Sequence, residues 1–199
     1  MTSDPSEPRR RRTDAVPPPG GKVSPQEADA LPRHRLWGPL SPFGLGIAAL
    51  VLLADQAHKA WMLYIYDIGA KGTVKLTSFL DLVLVWNEGI SYGLLQQHNT
   101  IGRFGLILFA LGVSVGLTLW LARITSKLVA ASIGLIIGGA IGNAIDRIVY
   151  GAVADFFSFH AAGFEWYVFN IADTAIVAGV VGLLYESLLG EPQKGLKTF

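Results

Sequence analysis

Four long apolar segments constrain the fold of this chain more than any other feature of its sequence. They lie at about residues 42–62, 104–122, 128–149 and 167–189. Each is close to the ~20 residues that a helix needs to cross ~30 Å of hydrocarbon. Only 16% of the residues are charged, whereas a typical soluble domain has about 25%. The sequence therefore predicts a mainly α membrane protein, a four-transmembrane-helix bundle.

The distribution of basic residues predicts the orientation of this bundle. Residues 1–36 contain an arginine run and a proline stretch without apolar periodicity, so we expect a disordered tail. With four spans, this tail, the connection holding Arg123 and Lys127, and the C-terminal tail 191–199 share one side. Cytoplasmic loops are enriched in lysine and arginine. Residues 37–190 are therefore expected to form a membrane domain with both termini in the cytoplasm.

Charge and cysteine content exclude several classes of protein. The formal net charge is only +1, which does not suggest a nucleic-acid partner. The chain has no cysteine, so disulfides, a cysteine nucleophile and thiolate metal sites are excluded. The sequence lacks an HExxH zinc motif, and no histidine lies near a GxSxG-type serine. We expect neither a metal nor a cofactor.

The two connections on the outer side contain candidate strands. Thr77–Trp86 is rich in β-branched and aromatic residues, and Asn87–Gly89 follows it like a turn. Ala152–Phe159 is a second candidate strand between the third and fourth segments. We therefore expect a small extracytoplasmic β-sheet that rests on the membrane surface.

A stripe of small residues runs along the third segment. Ala130, Gly134, Gly138 and Gly142 recur every four residues, a spacing that lets membrane helices approach closely. Close packing explains these residues, but the same spacing leads on to Asp146. The packed face is therefore expected to end at a carboxylate.

Polar residues occur within three of the apolar segments, where a charge costs about 2.5–3.5 kcal/mol on insertion scales. They are Asp55, Gln56 and Lys59, then Asn143, Asp146 and Arg147, and finally Asn170 and Asp173. With a rise of ~1.5 Å per residue, all of them fall near the outer ends of their predicted helices. Convergence at one depth favours a common site over unrelated structural pairs.

Structural roles explain some of the acidic residues better than others. Asp55 and Lys59 are four residues apart and can neutralise one another on one helix face. Asp146 can form a buried hydrogen-bonded cluster with the arginine that follows it. Asp173 has no basic residue within a helical turn, and Asp155 lies in an otherwise apolar stretch. These last two are the best candidates for chemistry.

A pair of aspartates is sufficient for hydrolysis without a cofactor. Two carboxylates close together in a partly dry site cannot both ionise, so they share one proton. The ionised member takes a proton from water while the protonated member polarises a carbonyl. The inventory of side chains thus favours an aspartic hydrolase.

Four sequence blocks resemble the motifs of the signal peptidase II family. They are Asp55-Gln56-Ala57-His58-Lys59; Asn87-Glu88-Gly89-Ile90-Ser91-Tyr92-Gly93; Gly138–Arg147 with Val153-Ala154-Asp155-Phe156; and Phe169–Thr174. They follow the family's order and cover about residues 43–190. Tyr92 replaces the usual phenylalanine and Thr174 the usual serine, and both departures keep size and polarity roughly intact.

The resemblance implies a bacterial plasma-membrane aspartic endopeptidase with its active site at the outer leaflet. Its partners would be membrane lipid and prolipoproteins, cut just before a lipid-modified cysteine, and a monomer is expected. The catalytic pair carries over onto Asp155 and Asp173, with Asp146 as the rival for the first position. The residues implied to bind substrate or support the site are Asn87, Asn143, Asp146, Arg147, Asn170, Ala172, Asp55 and Lys59.

Two other classes of function fit parts of the sequence. Intramembrane aspartate and lysine residues often mark the path of a transporter, but acids gathered at one end of a four-span bundle argue against it. A noncatalytic scaffold would use the glycine stripe, yet it would leave Asp155 and Asp173 without a role.

Overall fold

The described part of the chain forms four long helices and one antiparallel sheet. The computed structural model describes residues 37–89, 100–161 and 164–189. The long helices are α1 (Ser41–Ala60), α3 (Thr100–Leu121), α4 (Lys127–Val149) and α5 (Ile171–Leu189), and a short α2 covers Ile68–Lys71. The two tails predicted above, and Tyr92, lie outside the described residues.

Helix α4 lies at the centre and packs against α1, α3 and α5. Its small residues make this possible. A side chain on Gly134 would overlap the carbonyl group of Gly44 in α1, and one on Gly138 would overlap that of Ala48. Gly139 lies equally close to the backbone of α5. The predicted packing face is therefore confirmed: it lies against α1, and Gly139 beside it lies against α5.

The sheet has the strand order β1–β2–β3–β4, and all neighbours are antiparallel. The strands are β1 (Val74–Lys75), β2 (Leu80–Asn87), β3 (Val153–Ala161) and β4 (Phe164–Phe169). Both predicted strand regions are confirmed, as β2 and β3. The register pairs Val85 with Asp155 and Asn87 with Val153. The end of β2 is thus tied to the start of β3.

A hydrophobic cluster fixes the sheet on the end of α1. This helix continues into a π-helical turn, Trp61–Ile65. Met62 in that turn packs with Leu82 of β2 and with Ala154 and Phe156 of β3. The first residues of β3 therefore have a fixed position relative to α1.

Among the described residues, three helices are long and apolar enough to cross a membrane: α3, α4 and α5. Helix α1 has a similar length, but its polar residues, Asp55 and Lys59 among them, lower its mean hydropathy. Most of α4 is covered by protein, whereas α3 and α5 are largely exposed and apolar. Exposed apolar surface of this extent requires a lipid environment.

The predicted start of the fourth apolar helix, at residue 167, is wrong. Tyr167 and Phe169 belong to β4, and α5 begins only at Ile171. The aromatic side chains pack on β3, where the rings of Phe157 and Phe169 are 5.8 Å apart. Apolar composition alone does not separate a strand from an adjoining helix. For the same reason the sequence does not reveal β4, whereas β1, with two residues, is too short to show a pattern.

Gly134→Ala is expected to destabilise the fold, because the new methyl group would overlap the Gly44 carbonyl. Overpacking of this kind costs about 1–3 kcal/mol. Gly46→Ala is the matched control, since the space around its Cβ position is open, and it should be neutral or slightly stabilising. Thermal unfolding in detergent measures both. Equal unfolding midpoints would contradict close packing of α1 on α4.

Candidate active site

The predicted site residues converge at one end of the helix bundle. They come from the end of α1 (Asp55, Lys59), the end of β2 (Asn87), the last turns of α4 (Asn143, Asp146, Arg147), the start of β3 (Asp155) and the start of α5 (Asn170, Ala172, Asp173). All ten belong to one connected network of hydrogen bonds and ion pairs, in which Asn170 joins Asp155 to Asn143.

The first turn of α5 is held by side chains that accept its free amide hydrogens. Asn170 Oδ1 accepts from the amide of Asp173 at 2.9 Å, and Asp173 Oδ2 accepts from the amide of Asn170 at 3.3 Å. This reciprocal arrangement is a capping box. Asp55 of α1 accepts from the amide of Ala172 at 3.0 Å. The carboxylate of Asp173 therefore lies at the positive end of a helix dipole.

Lys59 joins two buried carboxylates. Its Nζ lies 2.8 Å from Asp55 Oδ2 and 2.7 Å from Asp146 Oδ2. Gln56 Nε2 bridges the same two carboxylates, at 3.1 Å from Asp55 and 3.0 Å from Asp146. The predicted Asp55–Lys59 pair is confirmed. The cationic partner of Asp146 was expected to be Arg147, but in the structure it is Lys59.

Asn143 connects this ion cluster to Asp173. Its Oδ1 accepts from Lys59 Nζ at 3.3 Å and from Asn170 Nδ2 at 3.2 Å. Its Nδ2 donates to Asp173 Oδ1 at 2.8 Å. Because both ends of the amide are engaged, its orientation is fixed. Asp173 is thereby linked to the Lys59 ammonium through one side chain.

Asp155 is buried at the start of β3, with 1% of its surface exposed. Asn170 Nδ2 donates to Oδ1 at 2.6 Å, and Asn87 Nδ2 donates to Oδ2 at 3.1 Å. Burial, together with the nearby charge of Asp173, raises the pKa of Asp155 to about 7, and the two amide hydrogen bonds offset only part of this. Near neutral pH a large fraction of the Asp155 carboxyl groups therefore keeps its proton.

Asp173 is only partly buried and lies in the wall of an apolar cleft of about 620 Å³. Phe159, Tyr167 and Phe169 of the sheet form one side of the cleft, and the first turns of α5 form the other. Ligand pockets commonly have volumes in this range. One carboxylate of the site is thus accessible from a cleft, while the other is buried.

Arg147 extends to the end of β2 and not to Asp146, because consecutive residues of a helix do not share a face. Its Nη2 donates to the carbonyl oxygen of Gly89 at 2.9 Å, and its Nη1 donates to that of Asn143 at 3.2 Å. Asn87 Oδ1 accepts from the Gly89 amide at 3.1 Å, so the predicted turn is present. Within the described ranges, the buried Nε of Arg147 has no hydrogen-bond partner.

Two further contacts of the site were not predicted. Gln56 Nε2 approaches the carbonyl oxygen of Gly142 at 3.3 Å, so the last glycine of the stripe borders the ion cluster. The amide of Ala154 donates to Asp146 Oδ2 at 3.2 Å, which fixes β3 next to Asp155. The position of Gln56 beside an intramembrane aspartate could have indicated the first contact. Nothing in the sequence indicates the second, because it involves a backbone amide.

Solved structures share this architecture. A bacterial membrane enzyme determined by the in meso method at 2.3 Å resolution has a TM-score of 0.66 and 24% sequence identity, covering 79% of this chain and 94% of that chain. A second structure of a bacterial membrane enzyme, at 1.9 Å resolution, has a TM-score of 0.64 and 24% sequence identity. The match covers 79% of this chain and 99% of that chain. The fold is therefore that of a bacterial membrane enzyme.

Sequence comparisons identify the family within this class. The family model of signal peptidase (SPase) II matches residues 47–189. The lipoprotein signal peptidase of Nitrobacter hamburgensis is 53% identical over 159 residues, which cover 77% of this chain and 97% of that protein. The lipoprotein signal peptidase of Rhodopseudomonas palustris strain TIE-1 is 54% identical over 159 residues, again 77% of this chain and 97% of that protein. This chain belongs to the signal peptidase II family, as its motifs predict, and it is a bacterial membrane protein.

Lys59→Met is expected to destabilise the protein by about 3–5 kcal/mol, because Asp55 and Asp146 would remain as uncompensated buried charges. Adding Asp146→Asn should recover part of this loss, since it removes one of the two negative charges. Lys75→Met, at an exposed position of β1, is the control and should change stability by less than about 0.5 kcal/mol. Denaturant unfolding in micelles gives the comparison. A loss as small as that of the control would show that the ion cluster does not hold the site together.

Proposed function

We propose that this protein is an aspartic endopeptidase that removes signal peptides from bacterial prolipoproteins. It cuts the peptide bond before the diacylglyceryl-modified cysteine, with Asp155 and Asp173 as the catalytic residues and without a cofactor. Membership of the signal peptidase II family supports the activity. The main support for the residues is a buried aspartate and a cleft-lining aspartate joined through Asn170.

The two aspartates have different roles in this proposal. Asp155, with its pKa raised to about 7, holds the shared proton. Asp173 is the ionised member, because it lies at the N-terminus of α5 and accepts a hydrogen bond from Asn143 at 2.8 Å. Two such carboxyl groups titrate as one unit.

A water molecule held between the carboxyl groups is the nucleophile. Asp173 takes a proton from this water as its oxygen attacks the scissile carbonyl carbon, and Asp155 gives its proton to the carbonyl oxygen. When the intermediate collapses, the C–N bond breaks and the amine leaves with the proton held by Asp173. A hydroxyl proton of the intermediate returns to Asp155, so the pair is restored and one water is consumed.

Asp146 supports the site in this proposal and does not react. Its Oδ1 accepts from Gln56, and its Oδ2 accepts from Lys59 and from the amide of Ala154. The residue is also fully buried. Because protein donors occupy both oxygens, a water molecule has no free approach to this carboxylate.

Asn87 and Arg147 are the proposed substrate contacts. Both hold the turn at Gly89, at the edge of the site next to Asp155. The buried Nε of Arg147 is a donor that finds no acceptor in the described part of the chain. A buried donor without an acceptor is costly, and a peptide carbonyl of the substrate would remove this cost.

In the proposed membrane arrangement, α1 spans the membrane in addition to α3, α4 and α5, which gives four spans. The Asp55–Lys59 ion pair lowers the cost of placing charges in this helix. Both termini are cytoplasmic, as the basic residues indicate, and the site lies at the outer leaflet. A lipid-modified substrate can then keep its acyl chains in the bilayer while its scissile bond reaches water. The protein acts as a monomer.

Asp155→Asn and Asp173→Asn are each expected to lower kcat by about 10²–10⁴-fold, because asparagine keeps the shape of the side chain but cannot exchange the proton. Cleavage of a diacylated lipobox peptide by the purified protein in detergent measures this loss. Asp81→Asn is the matched control: this β2 carboxylate lies 3.2 Å from His160 and should leave the rate unchanged.

Asp146→Asn distinguishes the two possible pairs. We expect it to lower stability or slow cleavage moderately, since it weakens the ion cluster. If Asp155→Asn cleaves normally while Asp146→Asn is folded and inactive, the pair is Asp146 with Asp173. If the wild-type protein does not cleave the peptide at all, the proposed activity is wrong.

Cleavage is expected to decline as the pH rises through about 7, because Asp155 then loses the proton that it must give to the carbonyl oxygen. Asn87→Leu removes a hydrogen bond to the ionised form of Asp155. The pKa of Asp155 should therefore rise further, and the alkaline limb should move to higher pH. Profiles of kcat/KM against pH test this. If the alkaline limb of the Asn87→Leu profile stays at the wild-type pH, the decline in rate is not caused by the titration of Asp155.

A further inference from the structure

An exposed aromatic cluster lies where α1, α4 and β2 meet, outside the polar network of the site. It consists of Tyr64 in the π-helical turn after α1, Tyr150 directly after α4, and Trp86 in β2. The hydroxyl oxygens of the two tyrosines are 2.9 Å apart, and the Trp86 ring centre lies 5.3 Å from that of Tyr150. The exposed fractions of Tyr64, Trp86 and Tyr150 are 69%, 43% and 37%. The cluster is therefore a surface feature and not part of the core.

Apolar surface continues from the aromatic cluster along α4. Ile148 and Val149, the last two residues of this helix, are both more than half exposed. The cluster thus marks the boundary between an apolar helix end and the sheet, which has exposed charged residues such as Lys75. Tyrosine and tryptophan are enriched at this kind of boundary in membrane proteins, because their rings are apolar and their tips are polar.

Lipid is the partner that fits this surface. Acyl chains can cover Ile148 and Val149, while headgroups and interfacial water can hydrogen-bond the hydroxyl groups of Tyr64 and Tyr150. The three aromatic residues come from three different elements, so they form one patch where the elements meet and not a stripe along a single helix. A patch at the level where the helices end and the sheet begins matches the level of a membrane interface.

The aromatic cluster is tied to the catalytic region through the backbone. Trp86 pairs with Ala154 across β2 and β3, and Ala154 directly precedes Asp155. The amide of Tyr150 donates to the carbonyl oxygen of Asp146 at 2.7 Å, and the Asp146 side chain in turn accepts from Ala154. A displacement of the cluster along the membrane normal would therefore move Asp155 with it.

We propose that the aromatic cluster is an interfacial anchor, which lies at the headgroup level of the outer leaflet and sets the depth of Asp155 and Asp173 in the bilayer. The inference rests on the proposed function, because depth matters only when the substrate is itself held by lipid. The acyl chains of such a substrate fix the depth of its scissile bond, so the carboxyl groups must lie at the same level.

Site-directed spin labelling measures the depth directly, and the absence of cysteine from the chain makes single labels simple. We would label Ile148→Cys below the cluster, Phe109→Cys midway along α3 as a deep reference, and Lys75→Cys on β1 as an aqueous reference. Accessibility to oxygen and to a water-soluble nickel complex is then compared in phosphatidylcholine vesicles. We expect Ile148 to be in contact with lipid and shallower than Phe109.

Two results of the labelling would overturn the anchor. If Ile148 is as accessible to the nickel complex as Lys75, the cluster lies in water. If Ile148 is as deep as Phe109, the cluster is inside the hydrocarbon and not at the interface. Neither result depends on catalytic activity.

The effect on catalysis is tested with the double variant Tyr64→Ala/Tyr150→Ala and the matched control Phe109→Ala. In detergent we expect both to cleave the diacylated peptide like the wild type. In vesicles of short-, medium- and long-chain phosphatidylcholine, the double variant should lose about three- to tenfold in rate where the bilayer is thickest or thinnest. The control should follow the wild type throughout.

Equal losses of the double variant in detergent and in vesicles would assign the tyrosines a structural role and overturn the anchor. A rate that follows the wild type at every thickness would overturn it as well. If the wild type cleaves nothing in either medium, the proposed function fails, while the spin-label depths still decide whether the cluster is an anchor.

Discussion

The buried ammonium group of Lys59 is the contact on which the rest of the site depends. It holds Asp55 of its own helix and Asp146 of α4 at ion-pair distance, in surroundings from which water is excluded. Asp55 in turn caps the first turn of α5 through the amide of Ala172. Three helices are therefore joined by one charge cluster. Such a cluster contributes less net stability than its short distances suggest, because desolvation opposes the attraction, but separating the partners would leave uncompensated buried charges.

This fixed arrangement creates two aspartates with different surroundings. Asn143 and Asn170 lie between the ion cluster and the aspartates, and each uses both ends of its amide. Asp173 receives the field of a helix N-terminus and opens to a cleft, whereas Asp155 is buried in β3. Unequal environments separate the proton affinities of two carboxyl groups, which is the condition for acid and base roles in one site.

Much of the site could be predicted because its polar residues stand out against apolar segments. Asp55, Lys59, Asn143 and Asp173 occur where a charge or an amide is costly without a partner. The small-residue stripe likewise indicated which face of α4 is packed. The pairing of Lys59 with Asp146 was missed, because sequence spacing reveals neighbours along one helix and not contacts between helices. The start of α5 was misplaced because β4 is as apolar as the helix that follows it.

The sequence by itself determined the apolar helices, the strand regions β2 and β3, and the family through motifs that lie in fixed order. These are local properties, because hydropathy and spacing act within about twenty residues. Only the tertiary structure decided that Asp155 is buried beside Asn170, that Asp146 is fully engaged by donors, and that Arg147 extends to Gly89. Burial and hydrogen-bond partners arise when distant segments pack together, and a proton's affinity for a carboxylate depends on both.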